Sequence, residues 1–105
     1  MNVKNFNLEA MVAWCVNLAA SEHTLIGTHD YSTWTSVYFE TDHFGGCYVD
    51  LHIEHDTRAI YYWVGDKKKY VETTEEISRL VHEEKEKMLK ARDMKGVCDF
   101  INSQY

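Results

Sequence analysis

The segment Gly45–Gly65, GGCYVDLHIEHDTRAIYYWVG, has the most regular two-residue period in the chain. Its first half alternates apolar side chains with polar or aromatic ones, as a half-buried strand does. The apolar positions are Cys47, Val49, Leu51 and Ile53, and the alternate positions are Tyr48, Asp50, His52 and Glu54. The second half repeats the period, with Ile60, Tyr62 and Val64 alternating with Ala59, Tyr61 and Trp63. The segment therefore predicts two antiparallel strands joined as a hairpin.

The register of this hairpin follows from the loop between its strands. A four-residue loop at positions 55–58 places Ile53 beside Ile60. The same register continues with Leu51 opposite Tyr62 and Val49 opposite Val64. One face of the hairpin is then apolar throughout, which fixes the register of a half-buried pair of strands.

A third strand is expected before the hairpin. Residues 34–41 alternate in the same way, and a five-residue loop at positions 42–46 with two glycines connects them to the hairpin. This loop length places Phe39 beside Val49 and Val37 beside Leu51. The apolar face therefore extends across three strands.

The two outer parts of the sheet are less regular. Tyr70–Val71 has the composition of a short fourth strand, and the lysines at 67–69 before it are typical of an edge strand protected against pairing with another chain. Residues 24–32 contain a glycine and several turn-forming polar residues. A loop is expected there, with a short strand at Leu25–Ile26 as the alternative.

Helical spacing appears at both ends of the chain. Asn7 is the expected N-cap of a first helix, and Thr73 and Glu76 have the spacing of a capping box at the start of a second. Residues 82–87 of the second helix contain no apolar side chain, so either this part bends into water or lysine stems cover the core. Gly96 predicts a break, followed by a short third helix.

These elements together predict one α+β domain that spans residues 1–105. A chain of 105 residues is long enough to bury its own core. The expected architecture is an antiparallel β-meander of three to four strands, with an N-terminal helix and one long plus one short C-terminal helix.

Charge and cysteine content limit the partners and the compartment. The net charge of −6 repels nucleic-acid phosphates and anionic lipids, so direct binding to nucleic acid or to a membrane is not expected. The apolar stretch at 11–20 includes a polar asparagine and is read as a helix of the mature protein, not as a signal peptide. Cys15, Cys47 and Cys98 are expected to be free thiols, with Cys47 on the core face. We therefore expect a cytoplasmic protein.

The second face of the predicted sheet is rich in aromatic and acidic side chains. Its residues are Trp34, Tyr38, Glu40, Tyr48, Asp50, His52, Glu54, Tyr61 and Trp63. If a helix covers the rings, they belong to the core and the acids form its rim. If the rings are exposed, they form a partner-binding surface, and the carboxylates favour a basic partner.

Two other chemistries can use the same face. Asp50, His52 and Glu54 project at alternate positions of one strand, so they are candidate metal ligands for activating water in hydrolysis. Polar residues at alternate positions are equally typical of any solvent-facing strand. The rings suit a small nucleotide or a positively charged ligand better than a nucleic-acid polymer, which requires a basic groove.

The sequence favours a non-enzymatic acidic protein-binding domain. We expect an inhibitor or regulator that engages a basic surface of another protein, such as a nucleic-acid-handling protein, without catalytic residues or a cofactor. A metal-dependent hydrolase or a small-ligand (nucleotide) binding protein is the alternative. Homodimerisation is a companion hypothesis, because paired helices or edge strands would cover surplus apolar surface.

Overall fold

A computed structural model describes the backbone of residues 1–40 and 47–104 and the side chains of residues 1–40 and 47–90. A short 3-10 turn, Val3–Asn5, precedes helix α1, Leu8–Ser21. Five strands follow: β1 (Leu25–Asp30), β2 (Trp34–Glu40), β3 (Cys47–Glu54), β4 (Ile60–Val64) and β5 (Lys67–Val71). Helix α2, Thr74–Gln104, ends the described chain. The predicted loop at 42–46 lies outside the described residues.

The five strands form one antiparallel sheet in the order β1-β2-β3-β4-β5. The α+β class, the meander and the N-terminal helix are confirmed, but the strand count of three to four is wrong. The additional strand is β1, which pairs with β2 from Leu25 opposite Glu40 to Asp30 opposite Thr35. Most of β1 is exposed at the sheet edge, so burial imposes no apolar period on it.

The central register agrees with the sequence pattern. Ile53 pairs with Ile60, and the Glu54 N–H donates to the Ala59 carbonyl at 2.9 Å, which closes the four-residue loop at 55–58. Val37 lies opposite Leu51, and Phe39 lies opposite Val49, as expected. The apolar face is therefore continuous across β2, β3 and β4.

Strands β3 and β4 separate beyond this point. Their ladder contains His52 opposite Tyr61 and Ile53 opposite Ile60. The predicted pairs Leu51–Tyr62 and Val49–Val64 are not part of it, so this extension of the register is wrong. A cleft occupies the space where the two strands diverge.

A β-bulge in β3 reverses the side-chain alternation at its start. Phe39 pairs with Val49 but Glu40 pairs with Cys47, so Tyr48 is an additional residue between them. Cys47 is exposed and not on the core face as predicted. Tyr48 packs against the core, and its hydroxyl donates to Thr24 at 2.8 Å. The prediction that Tyr48 belongs to the second face is therefore wrong.

Both helices pack on the apolar face of the sheet. The Asn7 side chain caps α1 by accepting the Ala10 N–H at 2.8 Å, and Thr73 Oγ1 accepts the Glu76 N–H at 3.2 Å at the start of α2. The buried cluster consists of Val3, Met11, Cys15, Ala19, Val37, Phe39, Val49, Leu51, Ile53, Ile60, Val71, Ile77 and Val81. The core therefore lies between the helices and one face of the sheet.

Helix α2 differs from the prediction at its C-terminal end. It continues through Gly96 to Gln104, so the expected break and the separate short third helix are wrong. A single glycine inside a helix costs only about 1 kcal/mol relative to alanine, which a long helix tolerates. Among the described residues, no helix has both the length and the apolar character needed to cross a membrane.

The polar middle of α2 is used to contact α1. The Lys85 ammonium group donates to the carbonyl of Glu22, the C-cap residue of α1, and only 18% of the lysine side chain is exposed. His82 Nδ1 lies 3.2 Å from the Glu22 carboxylate. Of the two expected arrangements, the low exposure of Lys85 favours the one in which a lysine stem covers apolar surface.

Candidate functional site

The face of the sheet opposite the helices carries a chain of contacting rings, which we call the aromatic row. Its members are His29, Tyr31, Trp34, His52, Tyr61, Trp63 and Tyr70. Tyr31 stacks on Trp34, and Trp34 stacks on His52, each pair with ring centroids 4.1 Å apart and nearly parallel planes. His52 and Tyr61 have centroids 5.1 Å apart. The row therefore crosses all five strands.

Strand register explains this alignment. His29, Ser36, His52, Tyr61 and Tyr70 lie opposite one another on successive strands, and all project from the second face. Ser36 on β2 carries no ring and interrupts this line. The contacts between β1 and β3 are instead made by Tyr31 and Trp34, which lie on either side of the β1–β2 turn.

The aromatic row is buried at its centre and exposed at its ends. His52 and Tyr61 are 13% and 7% exposed, whereas Tyr31, Trp63 and Tyr70 are 46%, 49% and 56% exposed. The outer rings therefore offer apolar surface to a partner, and the inner rings support them.

One lysine lies over the β4 end of the row. Lys68 Nζ is 4.5 Å from the Tyr61 ring centroid and 5.5 Å from that of Trp63. A cation at this distance from a ring face is attracted by the ring quadrupole. The rings therefore already hold one positive group at this end.

Carboxylates lie beside the row on β2 and β3. The Ser36 hydroxyl donates to Asp50 Oδ1, and Asp50 Oδ2 lies 3.4 Å from His52 Nε2. Serine, aspartate and histidine therefore meet, but the carboxylate lies between the other two. A nucleophilic serine requires the histidine beside its hydroxyl as the base. This order is consistent with a structural cluster that holds the His52 ring in the row.

The predicted metal candidates do not form a ligand set. Asp50 and His52 are close together, but the Glu54 carboxylate accepts the Thr57 hydroxyl at 2.8 Å. In the part of the chain that the structure describes, no group of three or more His, Cys, Asp or Glu side chains is placed to hold a metal ion.

No protein-family model, curated protein or solved structure matches this chain. Its candidate site therefore rests on its own geometry.

The structure brings most of the predicted partner-binding residues onto one face. Trp34, His52, Tyr61 and Trp63 belong to the aromatic row, and Glu40, Asp50 and Glu54 share the same strand-face parity. Tyr38 lies opposite Gly27, and its ring occupies the space that a Cβ at position 27 would take. Tyr48 is the member placed on the opposite side, because of the bulge.

Sequence reasoning missed three rings of the row. His29 lies on β1, Tyr31 follows β1, and Tyr70 lies on β5. Their parity would have placed them on the second face if these edge strands had been recognised at full length. The available sequence signal was the short polar stretch Ser32–Thr33, which is typical of a tight turn between two strands. In the structure the Tyr31 N–H donates to the Trp34 carbonyl across this turn at 2.8 Å.

The two cysteines with described side chains differ in reactivity. Burial raises the pKa of the Cys15 thiol to about 12, so it is protonated at neutral pH. The Cys47 thiol is exposed, yet two effects raise its pKa. Partial desolvation is the larger effect, and the negative charge of Asp50 is the next. Neither thiol has the lowered pKa of an activated nucleophile.

A cleft of about 410 Å³ lies where β3 and β4 separate, and we call it the β3–β4 cleft. It is bounded by both strands and by α2. Its lining residues are Cys47, Tyr48, Val49, Asp50, His52, Tyr62, Trp63, Val64, Leu80 and Glu84. Trp63 belongs both to this lining and to the aromatic row, so the two features are adjacent.

Proposed function

We propose that this chain is a non-enzymatic acidic protein-binding domain whose binding surface is the aromatic row with its neighbouring carboxylates. The observation that carries this proposal is the exposure of Tyr31, Trp63 and Tyr70 on a sheet face opposite to the one that packs against the helices. The function is binding because the polar groups on this face are arranged for support, not for proton transfer to a nucleophile.

The energetic argument concerns the exposed rings. A tyrosine or tryptophan ring can bury about 150–250 Å² in an interface, and such residues dominate the binding energy of most interfaces. The outer rings rest on inner rings that are already packed, so little side-chain freedom remains to be lost on binding. A preformed aromatic surface of this kind supports protein recognition.

Charge favours a basic partner. Glu40, Asp50 and Glu54 flank the row on β2 and β3, and the whole chain carries a net charge of −6. Basic residues on the partner would be attracted to this side before contact, which accelerates association. A small acidic domain with such a surface can act as an inhibitor or regulator that occupies the basic surface of a protein, for instance one that handles nucleic acid.

The exposed rings suit nucleobase stacking in principle, but the flanking charges oppose it. Single-strand binders combine aromatic side chains with a positive groove along the backbone, and the acids beside this row would repel phosphates. The hydrolase alternative gains no support from the described residues, given the position of Asp50 between Ser36 and His52.

Replacement of Trp63 with alanine tests the proposal. Trp63 is 49% exposed and contacts Tyr61 edge to face, so we expect Trp63→Ala to cost about 1 kcal/mol of stability or less while abolishing partner retention. The measurement is affinity capture from cell extract on immobilised protein, with urea denaturation of the same variants. Retention should weaken as ionic strength rises, because the attraction is partly electrostatic.

Val16→Ala is the matched control, because Val16 is 46% exposed on α1 and lies away from the row. It should leave retention unchanged. Equal retention by wild type and Trp63→Ala would reject the aromatic row as the binding surface. A loss of several kcal/mol in Trp63→Ala would show that the ring is structural.

A further inference from the structure

The β3–β4 cleft arises from an interrupted ladder. The Glu54 N–H donates to the Ala59 carbonyl, so Glu54, His52 and Asp50 are the β3 residues whose main-chain groups face β4. Continuation of the ladder would bond Asp50 to Trp63. The pairing stops at His52–Tyr61, and the main-chain N–H and C=O groups of Asp50 and Trp63 instead border the cleft.

The side chains around the cleft have complementary chemistry. Val49, Val64 and Leu80 supply apolar surface, and Tyr48, Tyr62 and Trp63 supply rings. Asp50 on β3 and Glu84 on α2 are the acidic members of the lining. The described lining contains no lysine or arginine, so its formal charge is negative.

Both carboxylates retain acceptor capacity. Asp50 accepts the Ser36 hydroxyl and lies near His52, but a carboxylate offers about four acceptor positions. Glu84 accepts Lys87 Nζ at 3.2 Å in an exposed ion pair, a kind that contributes little to stability. Glu84 therefore retains acceptor positions for a second cation.

We propose that the β3–β4 cleft binds the guanidinium group of an arginine carried on an extended segment of the basic partner. A guanidinium is planar, stacks on aromatic faces and donates to carboxylates in pairs. The apolar part of the arginine side chain lies along the valine and leucine surface. The main-chain groups of Asp50 and Trp63 bond the peptide backbone, as in strand addition to an open sheet.

This inference rests on the proposed function and adds the residue of the partner that is recognised. The aromatic row supplies the broad contact, and the cleft next to Trp63 supplies the pocket for one side chain. Interfaces commonly concentrate their binding energy in such a filled pocket.

The test uses a blocked pentapeptide of glycine and serine with one central arginine. Its binding to the full chain is followed from the indole N–H signal of Trp63 in proton–nitrogen NMR spectra. The same peptide with citrulline has nearly the same shape without the charge, and we expect it to bind at least about tenfold more weakly. Equal affinity for the two peptides, or no saturable binding of the arginine peptide up to about 10 mM, would overturn the proposal.

Glu84→Gln removes one charge from the cleft and should weaken the arginine peptide by about tenfold. Glu86→Gln is the matched control, because Glu86 is an exposed residue of the same helix outside the cleft lining. Equal effects of the two substitutions would mean that net charge alone attracts the peptide. A lysine peptide that binds as tightly as the arginine peptide would overturn the assignment of a guanidinium.

Separate variants distinguish this inference from the proposed function. Tyr31→Ala alters the far end of the aromatic row and leaves the cleft intact. Loss of partner retention in Tyr31→Ala, with no effect of Glu84→Gln on peptide or partner, would reject the cleft and keep the row. Normal retention in Tyr31→Ala with arginine-specific peptide binding would reject the row and keep the cleft.

Discussion

At the scale of single residues, Tyr48 and Cys47 change faces because one additional residue is inserted in β3. The bulge directs the Tyr48 hydroxyl to Thr24, which follows α1, and exposes the Cys47 thiol beside Asp50. One inserted residue therefore moves an aromatic side chain from the second face of the sheet to the helix side, where it lines the cleft.

The Cys47 thiol provides a residue-scale prediction. Its pKa is raised by burial and then by the Asp50 charge, so less thiolate is present at pH 8 than in a free cysteine. Asp50→Asn removes a negative charge, which lowers this pKa and should accelerate alkylation by iodoacetamide. The rate is measured by mass spectrometry in a Cys98→Ser background, where Cys15 is unreactive because burial raises its pKa to about 12.

Glu54→Gln is the control for this measurement, because it removes a charge from the same strand that does not affect the Cys47 pKa. An alkylation rate that stays the same in Asp50→Asn, or that rises equally in Glu54→Gln, would contradict the assigned cause.

Single-residue parity was predictable where the ladder is regular. The apolar alternation and the loop lengths together placed Val37 beside Leu51 and Ile53 beside Ile60. The prediction of the side-chain face failed at Tyr48. A bulge does not change the hydrophobic pattern when the inserted residue is amphipathic and suits either face. The stacking order of the rings was equally inaccessible, since it depends on side-chain rotamers.

At the scale of elements, Lys85 connects the two helices. The last carbonyl groups of a helix have no partner within the helix, and its C-terminal end attracts positive charge. Lys85 of α2 supplies both a donor and a charge at the end of α1. The polar middle of α2 therefore has a structural role.

Lys85→Ala should lower the free energy of unfolding by about 1–2 kcal/mol, because a charged hydrogen bond and a largely buried stem are lost. Urea denaturation measures this change. Lys87→Ala on the same helix, where the side chain is 71% exposed, should cost less than about 0.5 kcal/mol. Equal costs for the two substitutions would contradict the proposed link between the helices.

Element boundaries were predictable where capping residues mark them. Asn7 and Thr73 identified both helix starts. Strand β1 was predicted only as an alternative at Leu25–Ile26, and its full length was missed because its exposed edge position removes the burial that creates a period. The long helix α2 was divided wrongly at Gly96, because the penalty of one glycine is smaller than the preference of the flanking residues for helix.

At the scale of the whole molecule, the two edges of the sheet differ. β5 carries Lys67, Lys68 and Lys69, which oppose pairing with another strand, whereas β1 has no lysine or proline. In an antiparallel pair, alternate residues direct their main-chain groups towards the neighbouring strand. The Tyr31 N–H donates to the Trp34 carbonyl, so the main-chain groups of His29 and Gly27 also face β2, and those of Thr28 point away from it. Within the described residues no further strand pairs with this edge of β1, and we propose that two copies pair there.

We expect concentration-dependent dimerisation through β1, strengthened by salt because each copy carries a charge of −6. Thr28→Pro removes one outward N–H without affecting the β1–β2 ladder and should yield a monomer. Sedimentation across a dilution series measures the mass, and thermal unfolding at low concentration confirms the fold. A wild-type monomer at every concentration and salt level would reject the prediction.

The two faces of the sheet were predictable, but the covering of the second face was not. Alternation separates Trp34 and Trp63 from Leu51 and Ile60 whether or not a helix lies over the rings. Both helices have apolar positions, and the hydrophobic pattern does not predict against which face of the sheet they pack. That choice depends on how α1 and α2 fit beside each other on one face, a property of the assembled molecule.

The His52 imidazole lies flat against the indole of Trp34, with Tyr61 on its other side. Circulating π-electrons shield nuclei held above a ring, so the carbon-bound protons of this imidazole should resonate far upfield of those in a free histidine. Any change that separates the imidazole of His52 from the indole of Trp34 would shift these signals back towards the chemical shifts of a free histidine. A single histidine spin system thus reports whether the stack in the middle of the sheet is intact.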